Sequence, residues 1–155
     1  MRRTDREVTN FNEILDILRR AETIRLGLHD EPVPYVVPVS FGFEENNGAI
    51  VLYFHGAKEG RKHDLIAKSP HVCVEADIFL AYEETPGGIT ARYESVVGCG
   101  TARRVEGEEA AKGIDLLLSH CGCESYAYDP AALDATWVYR IELESITGKR
   151  NVPAA

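Results

Sequence analysis

From Val72 to Leu80 every second residue is apolar (Val72, Val74, Ala76, Ile78, Leu80), and after a Thr85-Pro86-Gly87-Gly88 turn the stretch from Arg92 to Val105 alternates again. A period of two marks strands with one face on a core, and two long runs joined by a turn form an antiparallel hairpin. This pattern commits the chain to antiparallel sheet. Further strands are predicted over Thr23–Leu28, Tyr35–Phe43 and Ala49–His55, and a last one is marked by Trp137, Tyr139, Ile141 and Leu143. The Asn47-Gly48 pair supplies a hairpin signal before Ala49. Pro38 lacks an N–H for a ladder, so its strand belongs at an edge or a bulge.

Helical spacing appears in three places. Asn10 with Glu13 resembles a capping box, and Phe11, Ile14, Leu15, Leu18 and Ala21 share one face of a helix over residues 10–21. A short helix is predicted over 60–68, ended by Ser69-Pro70, and another over 108–121 with Ala111, Ile114, Leu117 and Leu118 on one side. Six strands with three peripheral helices predict a mainly β fold, a six-stranded antiparallel barrel that is closed or nearly so. Closure is how such a sheet removes its edges.

At 155 residues, 45% hydrophobic and 27% charged, the chain reads as one domain spanning 1–155, large enough to fold without disulfide or metal. A net charge of −8 argues against a phosphate-gripping surface for nucleic acid. No stretch approaches the roughly 20 apolar residues of a membrane span, and the polar start lacks a signal-peptide core, so a cytoplasmic protein is expected. Cys73, Cys99, Cys121 and Cys123 contain no C-x-x-C pair, and Cys121-Gly122-Cys123 is one residue tighter than a zinc knuckle. No metal site is expected even with His120 adjacent. His29, His63 and His71 lie in polar stretches and are expected to face solvent, whereas His55 ends an apolar strand.

The chemistry concentrates between Leu52 and Ile66. An apolar strand enters a loop with Gly56 and Gly60 and the cations Lys58, Arg61 and Lys62, then a helix start. Glycines admit close backbone approach, free helix N–H groups favour an anion, and Arg and Lys add charge-assisted hydrogen bonds. The combination suits one phosphate, although neither a Walker A loop nor G-x-G-x-x-G is present. A plain solvated strand-to-helix connection is the competing reading. His55 has two readings as well, a proton donor near a bound substrate or a strand-end side chain that satisfies a carbonyl. Arg25, between Ile24 and Leu26, reads equally as an outer-face salt bridge, and Trp137 and Tyr139 read as core.

The order of Arg25-Leu26-Gly27, Pro34-Tyr35-Val36-Val37-Pro38-Val39-Ser40-Phe41, Tyr53-Phe54-His55-Gly56-Ala57 through Lys62, Tyr93 to Gly100 and Thr147-Gly148-Lys149 resembles the pyridoxamine 5′-phosphate oxidase-like FMN-binding split barrels. Within them it is most similar to the nitroimidazole-resistance (Nim) proteins, from about Arg2 to Arg150. The resemblance implies a homodimer with FMN in the groove between protomers. It places Pro38, Val39 and Ser40 along the isoalloxazine edge and His55, Gly56 and Ala57 beside the ribityl chain and ring. It assigns the phosphate to Lys62 with Gly60, Arg61 and Lys58, and brings Ser95 and Val96, in the fifth strand, toward the flavin from the barrel wall or across the dimer. His55 matches the active-site histidine of the Nim proteins.

The activity this implies is an FMN-dependent oxidoreductase in which a pyridine nucleotide or another donor reduces the flavin and a small oxidised molecule, such as a nitroaromatic, receives the electrons. With no dinucleotide fingerprint, NAD(P)H would bind only transiently. The alternative is a non-catalytic flavin- or haem-binding module, since related barrels take haem or a deazaflavin. True pyridoxamine 5′-phosphate oxidase activity is disfavoured, because the arginine-rich substrate signature of those enzymes has no match here.

Overall fold

The computed structural model describes residues 3–153; Met1, Arg2, Ala154 and Ala155, the ends of the expected 1–155 domain, lie outside the described residues. After a 3-10 turn at Thr4–Arg6 come β1 (Glu7–Val8), α1 (Phe11–Arg20), β2 (Ile24–Leu28), β3 (Tyr35–Val39), β4 (Gly42–Asn46), β5 (Ala49–Ala57) and α2 (Arg61–Lys68). The chain continues through β6 (His71–Thr85), β7 (Gly88–Val105), α3 (Gly107–His120), α4 (Pro130–Asp134) and β8 (Thr136–Asn151). No helix of the described residues is long and apolar enough to cross a membrane.

Every strand pairing is antiparallel, in the order β3-β2-β6-β7-β8-β5-β4, with β1 added to β8. The two ends of this path, β3 and β4, are consecutive in the chain, joined only by Ser40 and Phe41. A sheet whose ends are two residues apart must curl round on itself. Among the described residues no ladder joins β3 to β4, so the barrel is split there. Its interior is filled by Leu26, Leu52, Phe54, Ile141 and Phe41, with Ile17 of α1 in the same cluster.

The mainly β class holds, but among the described residues there are eight strands rather than six and four helices rather than three. The strand expected over Tyr35–Phe43 is two strands, because Phe41 leaves the ladder and is fully buried in the core. β1 has two residues and α4 five, too few to display a period. β8 continues past Leu143 to Asn151 because β7 offers it a partner from Tyr93 onward. Pro38 sits where the missing donor costs least: β3 ends the path and pairs only with β2, opposite Arg25.

Helix α1 buries Ile14, Leu15, Ile17 and Leu18. Asn10 caps it by accepting a hydrogen bond from the Asn12 amide at 2.9 Å, but Glu13 does not complete a capping box; its carboxylate pairs with Arg150 at 2.8 Å. Arg20 ties the helix to β7 through the buried Glu94 at 2.6 Å. On the other side, α3 lies almost in backbone contact with β4, since a Cβ on Gly42 would stand 2.4 Å from the Leu116 carbonyl carbon. β5 is therefore covered on both faces, with Ile50, Leu52 and Phe54 in the barrel and Val51 and Tyr53 in a second cluster with Ala110 of α3. Burial on both sides explains why Ile50–Phe54 is an unbroken apolar run rather than an alternating one.

Candidate functional site

The alternation of β5 decides which way the residues after Phe54 face. Gly56 follows Ile50, Leu52 and Phe54 on the barrel side, while His55 and Ala57 follow Val51 and Tyr53 on the α3 side. A Cβ on Gly56 would stand 2.6 Å from Nζ of Lys62 and 2.8 Å from its Cε. The missing side chain at Gly56 thus makes room for Lys62 to fold back over the strand. Among the described residues, no carboxylate lies within ion-pair distance of the Lys62 ammonium.

Lys62 belongs to the first turn of α2, whose N-cap is Gly60 at φ +132°, a conformation that favours glycine. No side chain caps this helix start. The first intrahelical bond runs from the His63 amide to the Gly60 carbonyl at 3.0 Å, so the amides of Arg61 and Lys62 are left for another acceptor. Two amides, the positive end of a helix and an unpaired ammonium form an anion cradle. The residues present fit a phosphate group.

The three cations do not converge. Arg61 turns to the loop after β2, donating from Nε to Asp30 at 3.0 Å and stacking 4.9 Å from the Tyr35 ring centroid. Its guanidinium holds the Asp30 carboxyl below the ordinary range. Lys58 lines a different hollow with Glu106, Asp134 and Trp137. Lys62 alone occupies the position over Gly56.

His55 is exposed and opens into an apolar cavity beneath α3 and α4. Surrounding protein mass, then the Lys62 charge, push its pKa below the ordinary imidazole value, so the neutral ring is favoured. His63, expected in solvent, is instead 4% exposed. Its Nδ1 lies 3.0 Å from the Tyr139 hydroxyl, its ring meets Trp137 edge-on, and its Nε2 has no partner. α2 buries its His63, Leu65 and Ile66 face, and an eight-residue helix written RKHDLIAK gives little periodic sign that the histidine belongs to it. Burial and the Lys62 charge lower His63 as well.

The remaining candidates lie along the split and on the central strands. Pro38 and Ser40 are exposed and Val39 half-buried at the free edge of β3. Ser95 is half-buried on β7, its hydroxyl donating to the Lys149 carbonyl at 3.5 Å. The Val96 side chain is in the barrel core, leaving only its backbone to meet a ligand. Arg25 pairs across the ladder with Glu75 at 3.0 Å and with Asp77, the outer-face salt bridge that was one of its two readings. Tyr139 is buried core, and Trp137 packs against it half-buried. All four cysteines are free thiols, His120 Nε2 sits 2.7 Å from the Ala21 carbonyl, and no metal-holding cluster occurs among the described residues.

The family profile described as pyridoxamine 5′-phosphate oxidase matches residues 11–150. The chain belongs to this family. Among solved structures, it is similar to a protein of Bacteroides thetaiotaomicron provisionally assigned to 5-nitroimidazole antibiotic resistance, at 25% identity and a TM-score of 0.83 over 93% of this chain and 86% of that one. It also shares the fold of the flavocytochrome Anf3 of Azotobacter vinelandii, at 18% identity and a TM-score of 0.78 over 99% and 72% of the two chains. A FAD and heme binding protein of Mycobacterium smegmatis matches at 17% identity and a TM-score of 0.73, over 97% and 76%. The comparison with curated proteins gave no match. Membership of the pyridoxamine 5′-phosphate oxidase family fits a barrel split beside Pro38 with an anion cradle at the end of β5.

Proposed function

We propose that this protein binds FMN and uses it to reduce a small oxidised molecule, with a nitroaromatic as a representative acceptor. The observation that carries the reading is the Lys62 ammonium folded over Gly56 beside the uncapped start of α2, a phosphate cradle in a chain of this family. Bound flavin supplies the capacity to accept electrons from a donor such as NAD(P)H and pass them on. The protein's own part is binding, orientation and proton placement. Lys62, with the amides of Arg61 and Lys62, holds the phosphate, and Gly60 keeps the approach open. Arg61, its guanidinium engaged by Asp30, contributes its backbone amide rather than its side chain. Pro38, Val39 and Ser40, on an edge with no further strand, offer backbone groups to a flat ring. His55, next to Gly56 at the end of β5, holds a proton at a ring nitrogen for the reduced acceptor.

The protein acts as a homodimer in this reading. The outer face of β3, β2, β6 and β7 exposes Val36, Phe79 and Val97, with Tyr82 and Ile89 near the tip of the β6–β7 hairpin. A second copy over this face would cover apolar surface that a monomer rarely leaves open.

The test compares FMN with riboflavin, which lacks the phosphate, in the wild type and in Lys62→Ala. Charge-assisted hydrogen bonds contribute about 1.5–3 kcal/mol, so FMN is expected to bind at least about tenfold more tightly than riboflavin. Lys62→Ala is expected to remove most of that difference. Equal affinities for the two flavins in the wild type would overturn the phosphate assignment.

A further inference from the structure

His63 is a buried titratable side chain that the function above leaves unused, and it lies under the cradle. Its Cε1 is 3.4 Å from the point where a β-carbon on Gly56 would stand, the same point that Lys62 Nζ approaches to 2.6 Å, and its Cδ2 is 3.9 Å from the equivalent point at Gly60. Nε2 is the ring atom between these two carbons, so that edge of the imidazole faces the Gly56–Gly60 loop. This nitrogen is buried and has no hydrogen-bond partner among the described residues. The other, Nδ1, is held 3.0 Å from the Tyr139 hydroxyl, which serves a neutral or a protonated ring equally because a hydroxyl both donates and accepts. The ring is thus fixed by β8 and presents a spare nitrogen to the loop that carries the anion site.

Burial, then the Lys62 ammonium, oppose a proton on His63, while the Ala57 carbonyl and the exposed Asp64 carboxylate favour one. From β7, Arg103 is engaged by Glu109 at 2.8 Å, and Arg104 by Glu106 at 2.6 Å and by the Trp137 ring. Lys62 is therefore the cation that an anion in the cradle would neutralise. A phosphate monoester carries about −1.5 to −2 at pH 7, more than one ammonium offsets, so its arrival leaves negative charge above the ring. We propose that His63 is a second cationic group of the cradle, which takes up a proton when a phosphate binds at Lys62. The protonated ring donates from Nε2 toward the loop and from Nδ1 to Tyr139. That the phosphate belongs to FMN rests on the function proposed above. His55 also feels the Lys62 charge, but it lies on the other face of β5 and is exposed, where water screens the change.

The experiment follows the histidine ring resonances of the full-length protein by NMR across pH, without ligand, with FMN and with riboflavin. The His63 midpoint is expected to move to higher pH with FMN and to stay in place with riboflavin, which has no phosphate. FMN affinity is then compared between the wild type and His63→Gln at pH 6 and pH 8. Ionisation of the phosphate itself affects both proteins alike and cancels in this comparison. The loss in the variant is expected to be at least about twofold larger at pH 6 than at pH 8, whereas a histidine that only packs would cost the same at both. A His63 midpoint that FMN leaves unmoved, a midpoint that moves at His55 alone, or equal losses at the two pH values would each overturn the inference. The NMR arm reads the wild type and so decides the matter even if His63→Gln does not fold. FMN binding more tightly than riboflavin with no movement at His63 would sink this inference and leave the phosphate cradle standing; FMN binding no more tightly than riboflavin would sink both.

Discussion

The Lys62 ammonium lies 2.6 Å from the point where a β-carbon on Gly56 would stand. A side chain at position 56 and the folded-back lysine exclude each other. Because the displaced atoms are the far end of a flexible side chain, Gly56→Ala is expected to change stability by less than about 1 kcal/mol. Its FMN affinity should nevertheless fall about tenfold or more, because the ammonium is moved from the cradle. Thermal melting beside an FMN titration separates these effects; a variant that binds FMN as tightly as the wild type would show that Lys62 is not used in that position.

His55 shares a strand end with the cradle but faces away from it. His55→Ala is therefore expected to retain FMN and to lose about 100-fold in turnover with NADPH and a nitroaromatic, the scale of a positioned proton donor. Its lowered pKa places protonation below the ordinary value of about 6.5. Wild-type turnover should rise as pH falls through that region, and the variant should lack this limb. Steady-state rates across pH, referred to bound flavin, check both points.

Acid should also weaken the fold. His55 and His63 both have folded-state pKa values below their ordinary ones, so near and below about pH 6.5 the unfolded chain binds more protons than the folded one. That difference favours unfolding, and the stability present above about pH 6.5 is lost as pH falls toward the folded values. Melting temperature is expected to drop over this window, and to drop less in His63→Phe, where the buried titrating ring is gone. A variant with the same pH slope as the wild type would clear His63 of the effect.

Much of the fold is legible in local pattern. The alternation from Val72 onward specifies a hairpin wherever it lies, and Asn47-Gly48 takes positive φ at both residues, as a tight hairpin turn requires. Pro38 marks an edge because its missing N–H is a property of the residue itself. What is not legible depends on partners distant in sequence. Phe41 leaves its strand because the barrel core has room for a ring, and His63 is buried because Tyr139 and Trp137 arrive from β8. The candidate site shows the same division. Glycines and cations between Gly56 and Lys62 suggest an anion, yet only the fold shows Lys62 over Gly56, Arg61 drawn to Asp30 and Lys58 turned elsewhere. Likewise, the cavity at His55 needs α4, whose five residues carry no periodic signal.

The central claim, that this barrel holds FMN at the Gly56–Lys62 cradle, is tested most directly by the visible absorption spectrum of the purified protein before and after incubation with FMN and removal of the excess. The account predicts flavin bands that remain with the protein and, on heat release, a chromophore that is FMN. A protein that stays colourless after incubation, or one whose only bands are those of haem, would contradict it.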